Sequence, residues 1–214
     1  MPPLARQRSA TLLPVVWLGI FAAVLAWSAF APKDYPTWVL EVSPALLGLV
    51  VLALTYNRFR LTPLLYWLIL VHSVILMVGG HYTYAEVPLF DSLRPLFGWE
   101  RNNYDKLGHL AQGFVPAMIA RELLIRFAVV PSAAWRYFFI VCFCLALSAA
   151  YELIEWAVAV IAGASSEAFL GTQGYQWDTQ ADMAFALLGA VTALLLLGGL
   201  HDRQLRDLPD TRTE

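Results

Sequence analysis

Three segments in the second half of the chain each carry a pair of polar residues spaced three or four positions apart. The six residues are Asp105, His109, Glu152, Glu155, Asp178 and Asp182. Side chains at this spacing lie on one face of an α-helix. Carboxylates suit magnesium, manganese or calcium, and a histidine extends the choice to zinc or iron. Because paired ligands on facing helices build metal sites inside helix bundles, we hypothesise that these six residues hold a divalent metal ion.

The composition places these residues in a membrane. The 214 residues are 59% hydrophobic and 14% charged, whereas a soluble domain is about 45–50% apolar and about 25% charged. This excludes a water-soluble globule, a disordered tail and a nucleic-acid binder. Membrane lipids are the expected partners, because a net charge of −2 without a long charged run indicates no electrostatic partner.

We predict six membrane-spanning helices, since a helix needs about 20 apolar residues to cross a hydrocarbon core about 30 Å thick. The charge-poor stretches cover residues 11–31, 37–56, 62–80, 106–127, 135–162 and 178–199. The first of them is too long for a cleaved signal peptide. The expected fold is an all-α integral membrane bundle over residues 1–200, followed by a polar cytoplasmic tail over 201–214.

The positively charged residues predict the orientation of these spans, because lysine and arginine are retained on the cytoplasmic side of the inner membrane. With the N-terminus in the cytoplasm, ten of them fall inside and four outside. Both termini are therefore expected in the cytoplasm.

The six candidate ligands then share one depth near the outer face. Asp105 and Asp178 begin the fourth and sixth spans, and the second member of each pair lies about 6 Å deeper. In the fifth span, Glu155 lies about 10 Å and Glu152 about 15 Å below the outer end. An ionised side chain at the bilayer centre costs at least about 2.5–3.5 kcal/mol, so a shared, neutralised site is favoured.

Further polar residues on the same side are secondary candidates. They are Glu41, His81, Tyr84, Glu86 and Gln112. Two glycines before His81 permit close helix approach or a turn of the backbone.

The residues alone leave three functions open. A metal ion at this site could activate water, with His109 or Glu155 as general base. The acids could instead relay protons or ions in transport. They could also form a hydrogen-bonded network that only fixes helix packing.

Several strings in the chain carry a family resemblance. They are GGHYTYAEVP at residues 79–88, RNNYDKLGH at 101–109, YELIEW at 151–156, LGTQG at 170–174 and WDTQADM at 177–183. With them the chain resembles the bacterial inner-membrane family of the YjdF type, over about residues 30–205. The resemblance implies a multi-pass protein of the bacterial inner membrane and leaves its activity open.

The chain is also similar, more weakly, to VanZ-like membrane proteins, which combine a D-K-x-x-H helix start with a later E-x-x-Q and a final aspartate. The matching residues are Asp105, Lys106 and His109, then Glu152 and Glu155, then Asp182 or Asp178. Glu155 departs from the glutamine of that pattern and adds an anionic ligand. VanZ-like proteins are linked to glycopeptide tolerance, so this resemblance implies an envelope lipid or lipid-linked molecule as the ligand. Our leading hypothesis is metal-dependent binding or processing of such a molecule.

Overall fold

The computed structural model describes residues 3–162 and 173–208, and the side chains of residues 3–13 and 162 are outside that description. The described residues form helices α1 (Pro3–Ala29), α2 (Tyr35–Thr55), α3 (Pro63–Tyr82), α4 (Pro88–Phe97), α5 (Tyr104–Arg126), α6 (Ala133–Ala162) and α7 (Asp178–Arg206). No strand occurs in this part of the chain. The predicted all-α class is confirmed.

Local chemistry explains where the helices begin and end. The carboxylate of Asp34 caps α2 by accepting a hydrogen bond of 2.8 Å from the backbone N–H of Thr37. Helices α2, α3 and α4 each have proline in the first turn, where its missing N–H costs nothing. Gly98 ends α4 in the left-handed conformation at φ 65°, which glycine adopts without strain.

The outer surface of the bundle fits a lipid environment. Helices α2, α3, α6 and α7 are long and apolar enough to cross a membrane, and α1 contains a shorter apolar stretch over Pro14–Ala29. Large apolar side chains point outward, with Leu54 74% and Leu195 79% exposed. Each long helix overlaps one predicted span, and the structure as a whole is a helical membrane bundle.

Helix α5 is the central helix of the bundle. It packs against α3, α6 and α7, and it buries charged residues at both ends, among them Lys106 and Glu122. Because neighbouring helices cover α5, it can be polar where the outer helices must be apolar.

Two features differ from the sequence expectations. The short helix α4, between α3 and α5, was not predicted. Helix α7 continues to Arg206, so residues 201–206 of the expected polar tail are helical. Residues 209–214 of that tail lie outside the described residues.

Helices α5 and α7 run in the same direction and cross in backbone contact at two glycines. A Cβ added to Gly113 would lie 1.7 Å from the carbonyl oxygen of Ala186, and one added to Gly189 would lie 2.1 Å from that of Leu110. Small residues at crossings let membrane helices approach closely where no hydrophobic force acts between them. Glycine at 113 and 189 is therefore a steric requirement of this packing.

A buried polar cluster ties α5 and α7 to the start of α3 at the other end. The Glu122 carboxylate accepts hydrogen bonds from the backbone N–H and the hydroxyl of Thr62, from Arg126 and from the Nε2 atom of His201. Arg121 donates to the Nδ1 atom of His201 at 2.9 Å. The Glu122 and His201 side chains are fully buried, and their partners satisfy them.

We expect Gly189→Ala to destabilise the protein, because its methyl group would overlap the α5 backbone and overpacking costs about 1–3 kcal/mol. Gly199→Ala is the matched control on the same helix, since its Cβ would meet nothing within 4 Å. Thermal unfolding in detergent should show a lower Tm for Gly189→Ala and an unchanged or higher Tm for Gly199→Ala. Equal Tm values for the two variants would contradict the close crossing.

Candidate metal centre

Helices α5 and α7 bring three of the predicted ligands together. Asp105, His109 and Asp182 each offer one ligand atom, and these atoms all lie within 4.8 Å of one another. The Nε2 atom of His109 is 3.3 Å from Oδ1 of Asp105 and 3.7 Å from Oδ1 of Asp182. His109 and Asp182 are buried. This cluster, Asp105 with His109 and Asp182, is the candidate centre.

The other ring nitrogen of His109 faces a group that can orient it. Its Nδ1 atom is 3.1 Å from Oε1 of Gln112, one turn along α5. When Nδ1 carries the proton and donates it to this oxygen, the lone pair of Nε2 points at the two aspartates. Such a hydrogen bond from the far nitrogen is the usual support of a metal-binding histidine. Gln112, a secondary candidate, therefore lies where it can position His109.

The carboxylate ligand atoms of the two aspartates lie within 4.8 Å of each other. Two carboxylates at that separation repel each other strongly when both are ionised. Lys106 contacts both carboxylates, at 3.5 Å from Asp105 and 2.6 Å from Asp182, and a bound proton or metal ion would reduce the remaining repulsion. The histidine beside them supplies a nitrogen ligand for the second possibility.

The two glutamates of α6 lie near His109. Glu152 is buried, and its Oε1 atom is 3.8 Å from Nδ1 of His109. This oxygen makes no hydrogen bond to any described residue. Glu155 is half-buried and lies within electrostatic range of Glu152 and His109. An unpaired buried carboxylate oxygen is costly, so its presence beside the centre calls for a partner.

Asp178, the sixth predicted ligand, is held by two cations. Its Oδ1 atom is 2.5 Å from Arg101 and 2.8 Å from the Nζ atom of Lys106. Lys106 also reaches Oδ1 of Asp182 at 2.6 Å. Asp178 is therefore neutralised within the protein, whereas Asp182 is shared between Lys106 and the centre.

The pairing of Lys106 with acids was not predicted from the sequence, where Lys106 was named only as part of the VanZ-like pattern. The residue is buried and is the neighbour of Asp105. One position along a helix turns a side chain by about 100°, which directs Lys106 to α7 rather than to His109. The sequence did hold a signal for this pairing, because Lys106 lies in one of the three segments with paired polar residues and a buried acid needs a cation.

Glu41, a secondary candidate on α2, joins the site through two tyrosines. It is buried and accepts a hydrogen bond of 3.2 Å from the hydroxyl of Tyr151. Tyr84 lies within electrostatic range of it. The Tyr84 ring packs closely over Gly79 and Gly108, where any larger residue would collide with it.

Two secondary candidates lie away from the centre. The Nδ1 atom of His81 is 3.0 Å from the carbonyl oxygen of Ser28, and its ring packs on Trp27 of α1. Glu86 forms an ion pair with Lys33, and both side chains are exposed. Neither residue contacts Asp105, His109 or Asp182 in the structure as described.

A cavity of about 740 Å³ borders the cluster. Its lining includes two cationic residues, Arg101 and Lys106. It also includes the aromatic residues Phe90, Trp99, Tyr175 and Phe185. Lys106 belongs to the cavity wall and to the ion pairs at the same time. The cavity has the size of ligand pockets, which are about 300–1,000 Å³.

Comparisons with known proteins agree with the membrane assignment. Residues 13–203 match the family described as "Predicted membrane protein (DUF2238)". The chain is similar to Inner membrane protein YjdF of Escherichia coli (strain K12), with 49% identity over 183 residues, which are 86% of this chain and 88% of that protein. No solved structure matches the chain.

These matches confirm the resemblance to the YjdF-type family and support a place in the inner membrane, where lipids surround the protein. The matched region includes every helix that contributes to the candidate centre. The chain is a multi-pass inner-membrane protein that belongs to the DUF2238 family.

Proposed function

We propose that this protein binds a divalent cation between Asp105, His109 and Asp182 and uses it to bind and process an amphiphile of the outer leaflet. One observation carries the proposal: ligand atoms from two helices lie within 4.8 Å of one another, beside a cavity that shares Lys106 with the cluster. The cavity suits an envelope lipid or a lipid-linked molecule, as the similarity to VanZ-like proteins implies.

The donor set favours manganese, zinc or iron, because it combines two carboxylates with one imidazole nitrogen. Three protein ligands leave further coordination positions open, as in catalytic metal sites. A bound cation would polarise a carbonyl or phosphoryl oxygen of the substrate. Glu152, whose Oε1 atom lies 3.8 Å from Nδ1 of His109 and makes no hydrogen bond to a described residue, would either complete the ligand set or accept a proton.

The cavity wall supplies binding groups for an amphiphile. Lys106 and Arg101, which also pair with Asp178, outnumber the acidic Glu100 in the cavity wall and offer N–H donors to an anionic head group. Phe90 and Trp99 offer apolar surface for a hydrocarbon chain. Indole rings are favoured at the level of lipid head groups.

The cavity would face the outer leaflet if both chain termini are cytoplasmic. The ten-to-four distribution of lysine and arginine supports this orientation. The helix ends fit it too, because the cluster lies at the starts of α5 and α7 and the arginines at positions 121, 126, 203 and 206 lie near their ends.

Ion- or proton-coupled transport is the second candidate function. The proximity of the Asp105 and Asp182 carboxylates, whose ligand atoms lie within 4.8 Å, supports it, since a proton bound there would serve in place of a metal. The third candidate function is a purely structural network. The ion pairs that Lys106 and Arg101 form with Asp178 support it.

We expect the purified protein to bind one Mn²⁺ per chain, measured by isothermal titration and by elemental analysis after dialysis. Asp182→Asn should abolish this binding, because it removes a ligand charge. Gln112→Leu should weaken it about 10–100-fold by leaving His109 unoriented, with little change in Tm. Glu86→Gln is the control, since this exposed acid pairs with Lys33 away from the centre.

Equal metal content in the wild type and Asp182→Asn would remove the metal hypothesis. Proton-dependent flux in reconstituted vesicles that Asp182→Asn abolishes, without any metal bound, would then favour transport.

Lys106→Met should change the two kinds of binding in opposite directions. Removing a positive charge 2.6 Å from Asp182 should raise the affinity for Mn²⁺. It should weaken binding of a short-chain phosphatidic acid, the probe for the cavity, because the cavity loses a cation. Mn²⁺ should also raise the Tm of the variant, since a ligand that binds only the folded state stabilises it. If neither affinity changed, Lys106 would not link the centre with the cavity.

Reporter fusions test the proposed orientation. A fusion within residues 163–177 is expected to report a location outside the cytoplasm, and a fusion after residue 214 a cytoplasmic one. The reverse result would place the candidate centre in the inner leaflet and exclude an outer-leaflet substrate.

A further inference from the structure

A second cavity lies at the opposite end of the bundle from the candidate centre. It has a volume of about 890 Å³ and lies between α1, the end of α2, the start of α3 and the end of α7. We call it the α1–α2 groove. None of its lining residues belongs to the candidate centre, so its role is independent of the proposed function.

Much of the groove is lined by apolar residues. Trp17 and Leu61 line it and are 5% and 9% exposed. The indole N–H of Trp17 donates a hydrogen bond of 2.7 Å to the backbone carbonyl of Tyr66, which joins α1 to α3 there. From Leu49 to Ala53 the groove follows α2 for about 6 Å, at 1.5 Å per residue, and it continues past the end of the helix to Tyr56 and Asn57. An acyl chain is the ligand shape that fits such a slot in a membrane helix bundle.

One end of the groove is polar and exposed. Arg60, Asp207 and Asn57 line it and are exposed. The guanidinium group of Arg60 lies 4.8 Å from the centre of the Tyr56 ring, which fixes its position. Neither Arg60 nor Asp207 forms an ion pair with another residue that the structure describes. The groove therefore presents one positive and one negative charge at its open end.

We infer that the α1–α2 groove binds a phospholipid whose head group carries a phosphate and a primary ammonium, as phosphatidylethanolamine does. The phosphate would pair with Arg60, the ammonium would donate to Asp207, and an acyl chain would lie against Trp17. A purely anionic head group satisfies Arg60 but meets Asp207 without a cation. A choline head group has no N–H to donate to that carboxylate.

Native mass spectrometry tests the inference on the full chain, after equilibration with equimolar phosphatidylethanolamine, phosphatidylglycerol and phosphatidylcholine. We expect one retained phosphatidylethanolamine per chain, in at least fivefold excess over the other two. Arg60→Ala should abolish retention of all three lipids. Asp207→Asn should keep a bound lipid but make phosphatidylglycerol bind as well as phosphatidylethanolamine.

Two further variants separate the groove from general effects. Arg58→Ala, which removes an exposed cation nearby that does not line the groove, should retain the lipid as the wild type does. Leu49→Trp should lower occupancy by filling the apolar end, with the head-group residues intact.

Equal retention of the three lipids by the wild type, unchanged in Arg60→Ala, would overturn the inference. A lipid-free dimer would overturn it too, by assigning the groove to a second copy. Lipid that binds only after residues 209–214 are removed would assign the groove to the end of the chain itself.

Discussion

The close crossing of α5 and α7 determines which polar residues meet. Lys106 lies seven positions before Gly113, and Asp182 lies seven positions before Gly189. Since the two helices run in the same direction from a shared contact, these residues reach the same level and pair at 2.6 Å. A bulkier residue at either glycine would separate the helices and pull Asp182 away from both Lys106 and the centre.

The charges brought together in this way do not balance. Lys106 and Arg101 neutralise Asp178 and part of Asp182. Lys106 also lies 3.5 Å from Asp105, but these two cations face three aspartates, and an oxygen of Glu152 makes no hydrogen bond to any described group. Buried charge without compensation is expensive, so a network that served packing alone would be expected to carry fewer acids. The surplus favours a bound cation or proton over a purely structural role.

Helical periodicity is a local property, and it made part of the site predictable. The spacing of Asp105 and His109 correctly placed them on one face, and Asp182 meets them because both helices start at the same end of the bundle. The pairing of Lys106 depends on the contact between helices, which no spacing within one helix reveals. Glu86 was a secondary candidate but lies away from the centre, and the reason is the backbone turn before it. Thr83 and Tyr84 adopt positive φ angles of 59° and 54°, and this turn directs Tyr84 inward and leaves Glu86 exposed.

The same two helices offer an internal comparison for the candidate centre. At their far end, Glu122 is as deeply buried as any acid in the described chain, yet Thr62, Arg126 and His201 satisfy both of its oxygens. That cluster needs no ligand, because every acceptor of the carboxylate meets a donor and arginines supply the opposite charge. Membrane burial alone therefore does not force acids to remain unpaired in this fold. Among the described residues, Oε1 of Glu152 at the near end and Nε of Arg121 at the far end lack a hydrogen-bond partner. The near end places its acceptor beside a histidine and two aspartates that can hold a cation, and a bound ligand there would give that acceptor a partner.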